Sequence, residues 1–134
     1  MESRKHQELC RRVFSRFSKR FLQNSSIFAQ TLALPSFYPP QPINGYIPDI
    51  LILNKTSTKS IIGEAKTEKD INNPHTADQL EAYLSFSYGF KNFKVFYEVE
   101  IVCVSLLRHL FYKARISRNL PVLRNVFING VLFK

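Results

Sequence analysis

One stretch limits the folds open to this chain more than any other: residues 48–66. It reads Pro48-Asp49-Ile50-Leu51-Ile52-Leu53, then Asn54-Lys55-Thr56-Ser57-Thr58-Lys59, then Ser60-Ile61-Ile62-Gly63-Glu64-Ala65-Lys66. Two apolar, β-branched runs of strand length flank a polar turn, a pattern that predicts a β-hairpin. Each run carries an acid out of keeping with a buried strand. Asp49 opens the first run, and Glu64 closes the second with Lys66 two residues on. Strand side chains alternate faces, so Ile62, Glu64 and Lys66 point the same way. The start of one hairpin strand lies beside the end of its partner, which brings Asp49 alongside Glu64. Two carboxylates and one ammonium then share a small patch at the end of a sheet.

Charges on an apolar strand are costly unless something compensates them. One compensation is a hard divalent cation such as Mg²⁺, typically held by one or two carboxylates, waters and substrate phosphate oxygens. Such an ion stabilises charge on a phosphodiester under attack and helps supply the hydroxide nucleophile. Lys66 would then orient or deprotonate the attacking water, or neutralise charge building on the phosphate. The other compensation is a strand-end salt bridge between Lys66 and one acid, with Asp49 merely ending a turn after Pro48. A lone E-x-K favours the salt bridge. The proline-aspartate, the hairpin and the E-x-K together, in that order, favour the ion.

Pro48-Asp49, fourteen intervening residues and Glu64-Ala65-Lys66 resemble the signature of the PD-(D/E)XK nuclease superfamily. That superfamily includes many restriction endonucleases, archaeal Holliday-junction resolvases, VRR-type nucleases and lambda-exonuclease-like enzymes. Gln79-Leu80-Glu81-Ala82-Tyr83 resembles the Q-x-x-x-Y motif that several branches carry on the helix after the E-x-K strand. The resemblance covers roughly residues 1–104 and fades beyond them. It implies a restriction-endonuclease-like α/β fold and Mg²⁺ as cofactor, with Mn²⁺ able to substitute. It also implies that Asp49, Glu64 and the backbone carbonyl of Ala65 ligate the metal, and that Lys66 assists the water. Gln79 would sit near the metal or the scissile phosphate and Tyr83 near the DNA backbone. A first-helix glutamate leans into the metal site in several branches; Glu8 matches that placement, and Glu2 is the second candidate. Each of these has a structural alternative. Glu8 could pair with Arg4, Arg11 or Arg12 at helical spacing, Gln79 could close a capping box with Thr76, and Tyr83 could pack in the core beside Leu80 and Leu84.

With 134 residues the chain reads as one domain over residues 1–134. Its net charge of +9 points to a polyanionic partner, nucleic acid or anionic membrane. Residues 1–20 hold seven Lys/Arg against two acids, no acid follows Glu100, and six of the ten acids fall between Asp49 and Glu81. Basic flanks around an acidic centre suit an enzyme that holds phosphates outside and a cation inside. Arg12, Arg16 and Lys19 on the first helix and Lys69 after the E-x-K strand are the candidate DNA contacts, although solvated basic helices would carry the same charges. No apolar run approaches the roughly 18–20 residues of a membrane span, and the first twenty residues are too charged for a signal peptide. Cys10 and Cys103 stand in no metal-ligand spacing, which suits a reducing cytoplasm. His6, His75 and His109 show no zinc spacing. With four glycines there is neither a P-loop nor a dinucleotide fingerprint, and no nucleotide cofactor is expected.

The remaining elements follow from periodicity. Leu9, Val13, Phe17 and Phe21 recur every four residues, predicting one helix over 3–23. Residues 27–34 fit a first strand. The segment from Pro35 to Pro42, with four prolines, is a loop; Phe37, Tyr38 and Tyr46 either stack on bases or pack on the domain. Thr67 to Asn73 reads as a polar connection, and a helix capped by Asn73-Pro74 follows. A strand over 92–97, a helix from about Glu100 to Arg118, and a hairpin over 120–134 turning at Asn129-Gly130 complete the chain. This order predicts a central mixed sheet flanked by helices. The function expected is a metal-dependent endodeoxyribonuclease, structure-selective, and in one version a Holliday-junction resolvase acting as a homodimer. Single-strand, flap and sequence-specific cutting stay open, as does RNA. The rival class is a non-catalytic DNA-binding module on the same fold; a basic protein-interaction or membrane-surface domain would leave the acids without a role.

Overall fold

The computed structural model describes residues 2–117, 119 and 125–133. In chain order these form α1 (Arg4–Ser15), α2 (Lys19–Leu22), β1 (Ser25–Ala29), β2 (Ile50–Asn54), β3 (Lys59–Lys66), α3 (Glu68–Ile71), α4 (Thr76–Ser87), β4 (Asn92–Val99), a 3₁₀ turn (Ile101–Cys103), α5 (Val104–Ser117), β5 (Val126–Ile128) and β6 (Val131–Leu132). The strands make one six-stranded mixed sheet in sequence order, flanked by helices. β1, β2 and β3 form an antiparallel meander, β3–β4 and β4–β5 pair parallel, and β5–β6 closes as an antiparallel hairpin. The architecture is mixed α/β. No described helix is long and apolar enough to cross a membrane.

Alternation along the strands assigns the two faces. Leu51, Ile62, Val95 and Tyr97 pack with Leu80, Tyr83 and Leu84 of α4 and with Leu107 and Phe111 of α5. Ile50, Ile52, Ile61 and Phe96 pack on the other face with Val13 and Phe17. A Cβ on Gly63 would come within 3.0 Å of the Phe17 ring and 3.5 Å of Val13. The absent side chain there is what lets α1 seat closely on β3.

Several expected boundaries move for identifiable reasons. The single helix over 3–23 is broken: Ser15 Oγ donates to the Arg12 carbonyl at 2.7 Å, a local bond that competes with helix continuation, and Ser18 restarts the chain in extended conformation. β1 ends at Ala29, because the loop crosses back there and Ala29 N–H donates to the Tyr38 carbonyl at 2.9 Å. The connection after β3 contains a helix, α3, capped by the Thr67 side chain accepting from Asp70 N–H. No capping box forms at Thr76. The Thr76 hydroxyl instead donates to the Asp70 carbonyl at 3.4 Å, and Asn73 Oδ1 accepts from His75 N–H at 2.8 Å. Phe37 packs against Phe14, and Tyr46 lies against the core, whereas Tyr38 is 84% exposed. The 120–134 hairpin is described from residue 125 onward, and its first part, 120–124, lies outside the described residues. Asn129 and Gly130, at φ 49° and 79°, make its turn, in the left-handed conformation that favours such residues.

That turn sits over an ion pair. Arg16 Nε and Nη2 donate to Glu98 Oε1 and Oε2 at 2.7 and 2.8 Å, a bidentate lock on a glutamate only 3% exposed. A Cβ on Gly130 would fall 2.2 Å from Arg16 Nη1. Gly130→Ala must therefore both strain a positive φ and displace a pinned guanidinium. The expected loss is about 1–3 kcal/mol, read as a lower urea midpoint with unchanged slope.

Candidate metal centre

The site lies where β3 outruns its partner. The β2–β3 register ends at Ile50↔Gly63, while β3 continues along β4 through Glu64↔Tyr97, Ala65↔Glu98 and Lys66↔Val99. Asp49, one residue before β2, fills the side of β3 that β2 no longer covers. Its Oδ2 accepts from Ala65 N–H at 2.9 Å, and its own N–H donates to Glu64 Oε1 at 3.0 Å. The two carboxylates are thus locked beside each other through reciprocal backbone bonds, each residue only 4% exposed. Lys66 Nζ stands 3.5 Å from Glu64 Oε2. Asp49, Glu64, Ala65 and Lys66 are brought together as the hairpin predicted.

Burial and the nearby Asp49 charge push the Glu64 carboxyl up to about 8, against the opposing pull of Lys66. Glu64 is therefore held in a place where its negative charge is disfavoured, and a cation would relieve it. Oxygen donors, two of them carboxylate groups held side by side, suit a hard ion, and no described residue hydrogen-bonds Asp49 Oδ1. On these grounds the residues fit Mg²⁺ or Mn²⁺.

Two expected helpers stand apart from their predicted roles. Tyr83 is fully buried, and its hydroxyl donates to Glu64 Oε1 at 3.4 Å. It supports the carboxylate and is closed off from the DNA backbone, because α4 packs it into the core. Glu8 is exposed on α1 and does not lean into the site. At about 100° per residue it falls on the far side of the helix from Val13 and Cys10. Gln79 shares a face with Tyr83 one turn away, and its Oε1 is buried without a hydrogen-bond partner among the described residues. The Tyr97 hydroxyl, on the residue paired with Glu64 across β4, is in the same condition.

The side chains that reach the site from this end of the chain are Glu2, which precedes α1, and His6 on α1, with Cys10 behind them. His6 Nε2 lies 3.1 Å from Asp49 Oδ2, and Nδ1 lies 2.5 Å from Glu2 Oε2. Burial disfavours the charged imidazole, but the hydrogen bond to Asp49 and the surrounding charges outweigh it and raise His6 to about 12. His6 is thus an imidazolium between two carboxylates. The sequence held the signal: Glu2, His6 and Cys10 are spaced i, i+4, i+8 along the apolar stripe, a spacing that separate inventories of histidines and cysteines overlook.

Of the basic residues, Arg12, Lys19 and Lys69 are exposed, whereas Arg16 is committed to Glu98, a bond that competes with phosphate. Lys5 and Lys69 line a shallow cleft together with Glu68 and Glu100, beside Thr67 at the end of β3. A larger cleft of about 950 Å³ opens at the opposite end of β3, lined by Arg16, Arg20, Lys55, Lys59 and Lys94 with no acid. Comparison of the chain with protein-family models, curated proteins and solved structures gives no match.

Proposed function

We propose that the protein is a metal-dependent endodeoxyribonuclease with a restriction-endonuclease-like core of the PD-(D/E)XK kind. The observation that carries this reading is the reciprocal Asp49–Glu64 lock, two buried carboxylates beside Lys66 at the strand end. Bound there, Mg²⁺ would supply Lewis-acid stabilisation of the phosphate charge and a more acidic water. Asp49 and Glu64 would hold the ion, and the resemblance adds the Ala65 carbonyl as a third oxygen. Lys66, 14% exposed at its side chain, faces outward enough to meet a phosphate oxygen and orient the water. In the reaction the water oxygen would bond to phosphorus and give its proton to solvent, the phosphorus–oxygen bond to the leaving sugar would break, and that oxygen would take a proton from solvent. Under this reading the substrate is DNA recognised by its shape, and a resolvase would act as a homodimer with one site per strand.

A second reading, a non-catalytic DNA-binding module, is favoured by one observation: the larger basic cleft lies at the end of the sheet away from the carboxylates. Cleavage of linear duplex, single-strand, flap and four-way-junction DNA in Mg²⁺, with Lys66→Ala as blank, separates the two. Cutting that is lost in the variant is the expected result, and symmetric nicks in the junction alone would identify a resolvase. Salt-sensitive binding with no cutting in Mg²⁺ or Mn²⁺ would leave the binding module.

A further inference from the structure

We propose that Glu2, His6 and Cys10 form a second metal site, for a borderline ion of the Zn²⁺ class, separate from the oxygen site of Asp49 and Glu64. A carboxylate oxygen, an imidazole nitrogen and a thiol sulfur lie within 4.8 Å of one another. These donors suit Zn²⁺, which takes Cys, His and carboxylate ligands, and they suit Mg²⁺ poorly. His6 Nδ1 lies 3.8 Å from Cys10 Sγ and 2.5 Å from Glu2 Oε2. Tetrahedral bonds of about 2.0–2.3 Å place neighbouring ligand atoms roughly 3.3–3.6 Å apart. The sulfur therefore closes on Nδ1 by a few tenths of an ångström and on the Glu2 oxygen, within 4.8 Å of it, by up to about 1 Å, while the Glu2–His6 contact opens by about 1 Å as the ion replaces the proton.

The surroundings are those of a ligand set held from behind. Thr31 Oγ1 donates to Glu2 Oε2 at 2.6 Å and Leu32 N–H donates to Glu2 Oε1 at 2.7 Å. With the metal on Nδ1, the Nε2–H of His6 is left to donate to Asp49 Oδ2, now 3.1 Å away. A carboxylate behind a metal-bound imidazole is a recurrent outer-shell arrangement that fixes the tautomer and the ring. Ion entry displaces the proton between His6 and Glu2 and the thiol proton of Cys10, both to solvent. Cys10 and Thr31 are buried, while the Glu2 and His6 side chains are 15% and 16% exposed and give the ion its way in. The ion would tie the start of α1 to the loop after β1 and hold His6 against Asp49.

Co²⁺ titration of the full chain, followed by absorbance, tests the site without DNA. The expected result is a near-ultraviolet thiolate-to-cobalt band, with visible bands of tetrahedral strength, that saturates at one equivalent and is displaced by Zn²⁺. Cys10→Ser should abolish the near-ultraviolet band, Asp49→Asn should weaken binding about 10–100-fold, and Glu64→Gln should leave the band in place. Retention by Glu64→Gln distinguishes this site from the proposed nuclease site, whose failure in Mg²⁺ would not touch the cobalt spectrum. Binding without a thiolate band, a band that survives Cys10→Ser, or no uptake would each overturn the proposal. If Cys10→Ser does not fold, thiol alkylation of the wild-type chain decides: Zn²⁺ should slow modification of Cys10 and not of Cys103, and equal rates at Cys10 with and without Zn²⁺ would refute it.

Discussion

Glu64→Gln is expected to cut DNA about a thousand-fold more slowly in Mg²⁺ and yet to melt at a higher temperature than the wild-type chain above pH 8. The amide keeps the shape of the side chain and can still accept from Asp49 N–H and the Tyr83 hydroxyl through one oxygen. It loses the charge that would hold the ion, and with it the charge that burial and Asp49 oppose. The sign follows from proton binding. Glu64 keeps its proton up to about pH 8 in the folded chain, against an ordinary value of 4.5. Through that window the folded state binds more protons than the unfolded one, so stability falls as pH rises. His6, raised from 6.5 to about 12, adds a decline of the same sign above pH 6.5. Melting temperature measured from pH 4 to 10 should therefore fall less steeply in Glu64→Gln between 4.5 and 8, with the His6 slope retained. Mg²⁺ should raise the wild-type melting temperature more at pH 8 than at pH 5, where protons compete for Glu64. Equal slopes in both proteins would show that Glu64 is not held against its charge.

Arg16→Ala is expected to lower stability by about 3 kcal/mol, the lower end of the range for stripping one partner from a buried ion pair. The lower end applies because the Arg16 side chain is itself 34% exposed, while Glu98 is 3% exposed. Removing the guanidinium leaves a carboxylate buried between α1 and β4 with neither of its two donors. Arg16→Lys should recover only part of the loss, since an ammonium cannot make the bidentate contact. Arg16→Ala with Glu98→Leu should recover more, because the stranded charge is gone. Urea unfolding of these proteins together with the Glu98→Leu single variant measures the coupling. A loss below about 1 kcal/mol would place this pair with ordinary surface salt bridges and return Arg16 to the pool of candidate DNA contacts.

The carboxylate pair was legible because everything that makes it is local. Alternation within two short runs and one hairpin turn suffices to bring Asp49 beside Glu64. A mixed sheet flanked by helices was legible from the succession of apolar runs and amphipathic stretches; the order of its strands was not read from the sequence. Glu8 failed where helix rotation matters. Residues Val13, Phe17, His6 and Cys10 centre the stripe, and Glu8 projects well away from it, so the helical wheel itself argued for His6 had a histidine been admitted to an apolar face. For Tyr83 the motif and the helix face pointed to different roles, and the core face marked by Leu80 and Leu84 is where it packs. The Arg16–Glu98 lock joins residues 82 apart in sequence, and no local pattern encodes it. The break after Ser15 turned on one hydroxyl bonding back to the helix, a choice that hydrophobic periodicity does not see.

Mn²⁺ binding at pH 8, read from the loss of the free-ion electron paramagnetic resonance signal, is the measurement to make on wild-type, Glu64→Gln and Cys10→Ser proteins. Saturable uptake by the wild-type chain, unchanged by Cys10→Ser and lost in Glu64→Gln, is the result predicted for an oxygen-ligand site built on Asp49 and Glu64. Uptake that survives Glu64→Gln, or none in the wild-type chain, would contradict it and leave the two acids as a structural feature of the strand end.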